Sequence, residues 1–120
     1  MKIAITSQGG ELTSRVDPRF GRAGYFIVVD TETGEFTPAD NSQNLNAAQG
    51  AGIQAGRNVV QLGVEAVITG HVGPKAFAAL QAGGVKVYTG ASGTVADAVE
   101  QFQAGELQQS AGADVEGHWV

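Results

Sequence analysis

Apolar positions alternate along residues 2–6, crowd together in the short run 25–30, and recur at helical spacing over 50–62. The first two patterns predict strands and the third an amphipathic helix. Residues 31–34 form a turn ending in Gly34, and 35–39 pair back on 25–30 as a hairpin. In the helical segment Ala51, Ala55, Val59 and Leu62 share a face, and Gly63 marks its end. Gly52 and Gly56 each cost about 1 kcal/mol of helix propensity relative to alanine. Small residues four apart compensate if they let the helix lie close on a sheet.

The second half repeats a strand–helix rhythm. Residues 65–69 read as a buried strand. Pro74, preceded by Gly73, suits the first position of a helix that carries Phe77 and Leu80 inward and stops at Gly83-Gly84. Residues 85–89 form a fifth strand. Thr94 and Asp97 have the spacing of a capping box, and Val95, Ala98, Val99 and Phe102 supply the stripe of a third helix that ends at Gly105. Residues 106–120 show no periodicity and read as a tail. A helix between two strands makes a right-handed parallel crossover as a rule. The expectation is one α/β domain with a mixed five-stranded sheet, helices on both faces and the first strand central.

Charge narrows the function. The net charge is −5, which disfavours nucleic acid as a partner. Yet three of the seven Lys and Arg residues, Arg15, Arg19 and Arg22, fall in the glycine-rich segment 7–24. This is either a loop of solvated arginines or a local site for a small anion. Long loops in compact domains are uncommon and often functional. No apolar run reaches the roughly 20 residues of a membrane span. Nothing resembles a secretory signal, and the absence of cysteine fits the cytoplasm, the expected location. It also excludes disulfides and thiolate ligands.

Three segments should meet beyond the carboxyl ends of the parallel strands, where such sheets bind ligands. They are Asp17-Pro18-Arg19-Phe20-Gly21-Arg22-Ala23, Gly70-His71-Val72-Gly73-Pro74 and Gly90-Ala91-Ser92-Gly93-Thr94. The latter two precede helix N-termini, whose N–H groups favour anions. Candidate ligand contacts are Arg19, Phe20, Gly21, Arg22, Gly50, Gly52, His71, Val72, Gly73, Gly93 and Thr94, with the Phe20 ring expected as an apolar wall. Glycine and proline also satisfy turn geometry without any ligand. His71 is either a hydrogen-bonding residue or a metal ligand. His118, beside Trp119, is a second metal candidate or part of an unstructured end. No catalytic constellation is present: there is no Walker lysine, no well-placed GxGxxG and no HExxH.

The segment 17–23 resembles the S/D-P-x-F-G-R-A signature of the dinitrogenase iron–molybdenum cofactor biosynthesis family, which includes NifX-type proteins and the C-terminal part of many NifB proteins. Gly50-Ala51-Gly52-Ile53, Gly70-His71-Val72-Gly73-Pro74-Lys75-Ala76-Phe77 and Gly84-Val85-Lys86-Val87-Tyr88 with Gly93-Thr94-Val95 agree in order. The resemblance covers residues 1–107, with 108–120 as a tail. It implies a ribonuclease H-like α/β/α fold with strand order 3-2-1-4-5 and the second strand antiparallel. Many members have histidine where this chain has Gln49. The ending around Ala113-Asp114-Val115-Glu116-Gly117-His118-Trp119 is similar to that of the orange-protein subgroup of sulfate-reducing bacteria, known for a molybdenum–copper sulfide cluster held without covalent protein ligands.

The resemblance implies a carrier, not an enzyme, for a molybdenum–copper sulfide cluster or a related iron–molybdenum–sulfur cluster. The competing expectation is a metal-free interaction module acting with a P-loop ATPase. A cofactor-recipient protein is the other expected partner, and the chain itself is expected as a monomer or weak dimer. Nuclease chemistry on such a fold needs clustered carboxylates binding two metals. The first strand has none.

Overall fold

A computed structural model describes residues 1–41 and 51–112. The strands are β1 (Lys2–Ser7), β2 (Tyr25–Asp30), β3 (Phe36–Asp40), β4 (Ala66–Ile68), β5 (Lys86–Thr89) and β6 (Gln108–Gln109). The helices are α1 (Ala51–Gln61), α2 (Pro74–Ala82) and α3 (Val95–Gln103). They form one sheet in the order β3-β2-β1-β4-β5-β6. β1, β4 and β5 are parallel, while β2 is antiparallel to both β1 and β3. This matches the expected 3-2-1-4-5 arrangement. The difference is β6, which pairs antiparallel with β5 through Tyr88–Gln109 and Thr89–Gln108 and makes the sheet six-stranded.

Strand alternation sorts the core into two halves. Ala4, Phe26, Val67 and Val87 face α1 and α2, meeting Ala55, Val59, Ala76 and Leu80. Ile3, Ile5, Ile27 and Ile68 face α3, meeting Val95 and Ala98. The result is three layers, with two helices on one face and one on the other. One of the two glycines of α1 serves a neighbour other than the sheet. A Cβ at Gly56 would lie 2.9 Å from the Cβ of Ala79, so the close approach is to α2.

The parallel strands and β3 all end at one edge of the sheet, so each helix begins there. Residues 8–24 lie across that edge and are hydrogen-bonded to it. Gln8 N–H donates to Arg15 O at 2.9 Å and Asp17 N–H to Thr6 O at 3.0 Å, folding the segment back onto the end of β1. Beneath it Thr6, Ser7 and Thr69 are fully buried. The Thr6 hydroxyl donates to Asp17 O at 2.8 Å and hydrogen-bonds the Thr69 hydroxyl at 2.9 Å. At the far end Asn41, also fully buried, donates from its backbone to Gly24 O at 2.9 Å and from Nδ2 to Ala23 O at 2.8 Å. Buried backbone groups must find partners. Here the two ends of adjoining strands provide them.

Phe20 anchors the segment. Its side chain is fully buried, with its ring centroid 5.4 Å from that of Phe26. The expectation that this ring lines a ligand site is therefore corrected: it belongs to the core. Truncating such a side chain to alanine costs about 3–5 kcal/mol.

Two outcomes follow from the way this segment sits. A Cβ at Gly70 would lie 2.8 Å from both Cα and O of Pro18. Gly70→Ala must push the segment off the edge, and we expect it to lower the unfolding free energy by about 1–3 kcal/mol in urea titrations. Asp17 is only 8 % exposed. Burial pushes its carboxyl above the ordinary value, outweighing the hydrogen bond from Arg19 N–H and the Arg19 charge. A folded value above the unfolded one contributes stability below the unfolded pKa and loses it as pH rises through the folded pKa. Asp17→Asn keeps an oxygen for Arg19 N–H and removes the buried charge. The variant should gain stability relative to the parent between acid and neutral pH, and paired melts across that range check the sign.

Candidate functional site

The conformation of residues 11–16 is dictated by α3. Val16 N–H donates to Gly93 O, and Val95 N–H to Ser14 O, both at 2.9 Å. Ala96 N–H donates to Leu12 O at 3.0 Å. The Thr94–Asp97 capping box forms as the sequence predicts, with Asp97 N–H to Thr94 Oγ1 at 3.1 Å and Thr94 N–H to Asp97 Oδ2 at 3.0 Å. The first four amides of this helix end are thus already occupied. A helix N-terminus attracts anions through its unsatisfied N–H groups. Gly93 and Thr94 therefore do not offer the anion-binding amides expected of them. Gly93 serves geometry instead, with φ of +84° in the left-handed region.

The other end of the segment docks on the turn between β4 and α2. His71 N–H donates to Pro18 O at 2.8 Å, and Phe20 N–H to His71 O at 3.2 Å, so Arg19 and His71 form a parallel bridge. Asp17 Oδ1 accepts from Arg19 N–H at 3.0 Å and fixes the turn at Pro18. With Phe20 and Ala23 pinned in the core, the exposed Arg19 is held beside the turn that leads into α2, and Arg22, between the two anchors, is half-buried. Arg15 bridges Thr94 instead, on the side of α3. The basic cluster of the sequence is divided: Val16 packs with the α3 half of the core, and Phe20 with the α1–α2 half.

The start of α2 differs from that of α3. Gly73 is its N-cap, with φ −84° and ψ 170°, and no side chain caps it. Pro74 at the first position has no N–H to satisfy. The first intrahelical bond runs from Phe77 N–H to Gly73 O at 3.0 Å. Among the described residues the amides of Lys75 and Ala76 have no hydrogen-bond acceptor. Gly21, Val72 and Gly73 are buried here, and His71 is half-buried. Gly52 is buried in the first turn of α1, which begins at the same edge. Gly50 and His118 lie outside the described residues, as does Gln49.

Chemically, the edge offers cations and N–H donors. Among the described residues, no three His, Cys, Asp or Glu side chains gather as they would to bind a bare metal ion. The donor set fits an anion that brings its own ligands. Sequence reasoning missed Thr6, Thr69, Asn41 and the role of Gly70 in seating the segment. The polar residues at the carboxyl ends of two apolar strands were the available signal.

A solved structure, the apo form of the orange protein from Desulfovibrio gigas, superposes with a TM-score of 0.92 at 43% identity, over 95% of this chain and 96% of that one. An NMR structure of a candidate NifB protein from Thermotoga gives 0.83 at 40% identity, over 97% and 98%. An uncharacterised protein of Methanocaldococcus jannaschii is 29% identical over 91% of each chain. Residues 1–105 match the family described as dinitrogenase iron-molybdenum cofactor. With the fold shared at that level and the match spanning most of its length, the chain belongs to the dinitrogenase iron–molybdenum cofactor family.

Proposed function

We propose that this chain is a non-catalytic carrier holding a metal–sulfur cluster as cargo, a molybdenum-containing sulfide cluster with or without copper. The observation that carries this reading is the pairing of Arg19 with His71 beside an α2 N-terminus whose Lys75 and Ala76 amides are open. It anchors the backbone of an exposed arginine next to open amide donors in a chain with net charge −5. Family membership and the similarity to the orange protein, a relative described in an apo form, support a cofactor-related binding role.

The chemistry of such a cargo suits these donors. A sulfide-capped cluster is bulky, soft and anionic. Its sulfur atoms are weak acceptors that gain most from weakly hydrated donors. Arginine is planar and less strongly hydrated than lysine, so it loses less on contact. The cluster supplies its own metal ligands and needs no thiolates from a chain that has no cysteine. Arg19 and Arg22 hold the charge, His71 contributes an N–H or a nitrogen lone pair, and the α2 amides point at the bound face.

Two expected outcomes test the proposal. Charge-assisted hydrogen bonds are worth roughly 1.5–3 kcal/mol, and 1.4 kcal/mol is about tenfold in affinity. Arg19→Ala and Arg22→Ala should each weaken binding of tetrathiomolybdate, with or without copper, by about ten- to a hundredfold. Lys86→Ala, at the opposite edge of the sheet, should change little. Visible charge-transfer absorption reads the titration. Equal competition by sulfate would reduce the site to simple charge attraction, and unaltered affinity in both arginine variants would remove the site from this edge. The second outcome concerns His71. His71→Ala should speed loss of bound cluster, and His71→Gln should restore part of the retention if the side chain acts as an N–H donor. If glutamine behaves like alanine, a lone pair on the metal is the contribution of His71.

A further inference from the structure

The two helices on one face leave a groove that the cargo site does not use. It is an open depression of about 660 Å³ between α1 and α2, lined by Ile53, Val60, Ala79 and Ala82 together with Arg57 and Lys75. Its floor is shallow because Gly56 and Ala79 bring the helices into contact, leaving short side chains beneath a half-exposed Ile53 and Val60. The charge on this face is the reverse of the chain's. The whole sequence has twelve Asp and Glu against seven Lys and Arg, yet neither helix carries an acidic residue. Arg57 and Lys75 are both exposed.

We infer that this groove docks an acidic amphipathic helix of a partner protein, one that delivers or receives the cargo. Helices of eleven and nine residues are about 16 and 13 Å long. A groove of that length takes about two to three turns of a third helix. Such a helix places apolar anchors at i, i+3, i+4 and i+7 over the alanine floor, with carboxylates flanking them toward Arg57 and Lys75. Small floor residues admit large side chains from the partner. The matching of an acid-free, cationic rim to an acidic helix fixes its orientation and speeds encounter. Lys75 lies in the first turn of α2, at the same edge as His71. A helix seated there therefore brings its protein beside the proposed cargo. The inference deepens the carrier reading by naming the chemistry of its partner, but docking itself requires no cargo.

The test uses the full chain without cluster. A fluorescein-labelled 18-residue helical peptide carries leucine at i, i+3, i+4 and i+7 and glutamate on both flanks. Its anisotropy should rise saturably with added protein at low salt, and more weakly as ionic strength increases. Amide shifts in ¹⁵N spectra should concentrate at Arg57, Val60, Ala79 and Ala82. Arg57→Glu combined with Lys75→Glu should weaken binding at least tenfold, and Ala82→Trp should block the groove, with unchanged thermal melts confirming folding. No saturable binding, equal binding of a lysine-flanked version of the peptide, or shifts located elsewhere would overturn the inference. Binding that emerges only after residues 113–120 are deleted would also overturn it, since the groove would then belong to the chain's own end. Arg57→Glu alone separates the two proposals: it should weaken the peptide and leave tetrathiomolybdate affinity unchanged, whereas Arg19→Ala should do the converse.

Discussion

Residues 8–24 must satisfy their backbone while lying over the buried ends of β1 and β4, and the geometry of the candidate site descends from that constraint. The segment meets it at three places, on the end of β1, on the start of α3 and on the turn after β4. Each contact is a short piece of strand-like pairing, so the segment behaves as part of the sheet edge and carries few unpaired groups inward. Thr6 and Thr69 complete the seal with hydroxyls where an apolar side chain would leave the Asp17 carbonyl without its side-chain donor. The consequence for function is directional. Once Val16, Phe20 and Ala23 point into the core, Arg15 and Arg19 are left exposed and Arg22 half-buried, while Asp17 alone of the charged residues among them turns inward.

The same pairing makes the helix ends unequal. The N-terminus of α3 spends its amides on Ser14 O, Leu12 O and its own capping box, whereas α2 begins with glycine and proline and no side-chain cap. Helix dipoles alone would make the two ends equivalent. Local hydrogen bonding breaks the equivalence. It leaves the open amides at the start of α2, where the backbones of Arg19 and His71 are already joined. Asp17 sits close by, and its buried carboxyl is an unfavourable charge beside the site. Its acceptance of Arg19 N–H gives it a structural use that its burial partly opposes.

Much of this fold was legible in the sequence because its elements depend on local pattern. Alternation in β1, the helical stripes of α1 and α3, the capping box and the glycine stops all follow from neighbours within a few residues. β6 was not legible: Gln108 and Gln109 have no apolar period, and they become a strand only because β5 offers an unpaired edge. The site was half legible. The sequence shows that Arg19 and His71 belong to segments that meet. It cannot show that Phe20 turns inward, since an aromatic residue between two arginines reads equally as wall or anchor. Nor can it show that the amides of α3 are taken, because their acceptors, Leu12 and Ser14, lie some eighty residues away.

The arrangement bears on what kind of protein would use it. Under the carrier reading, the cargo must be held firmly enough to survive transfer and loosely enough to leave. A few charge-assisted contacts on an exposed edge meet both demands better than a closed cage of metal-bound side chains, whose release requires bonds to metal to break. A seated but uncapped helix end contributes donors already fixed in direction, so little ordering is needed when the anion arrives. The cationic groove running down from that end along α1 and α2 then has a physical rationale. Under the same reading, an acidic partner settling there would raise the local negative potential beside a bound anion and weaken its hold at the moment a recipient is present. Retention and release would thus be governed by the same electrostatics, with the chain's surplus of acids elsewhere keeping other anions at a distance.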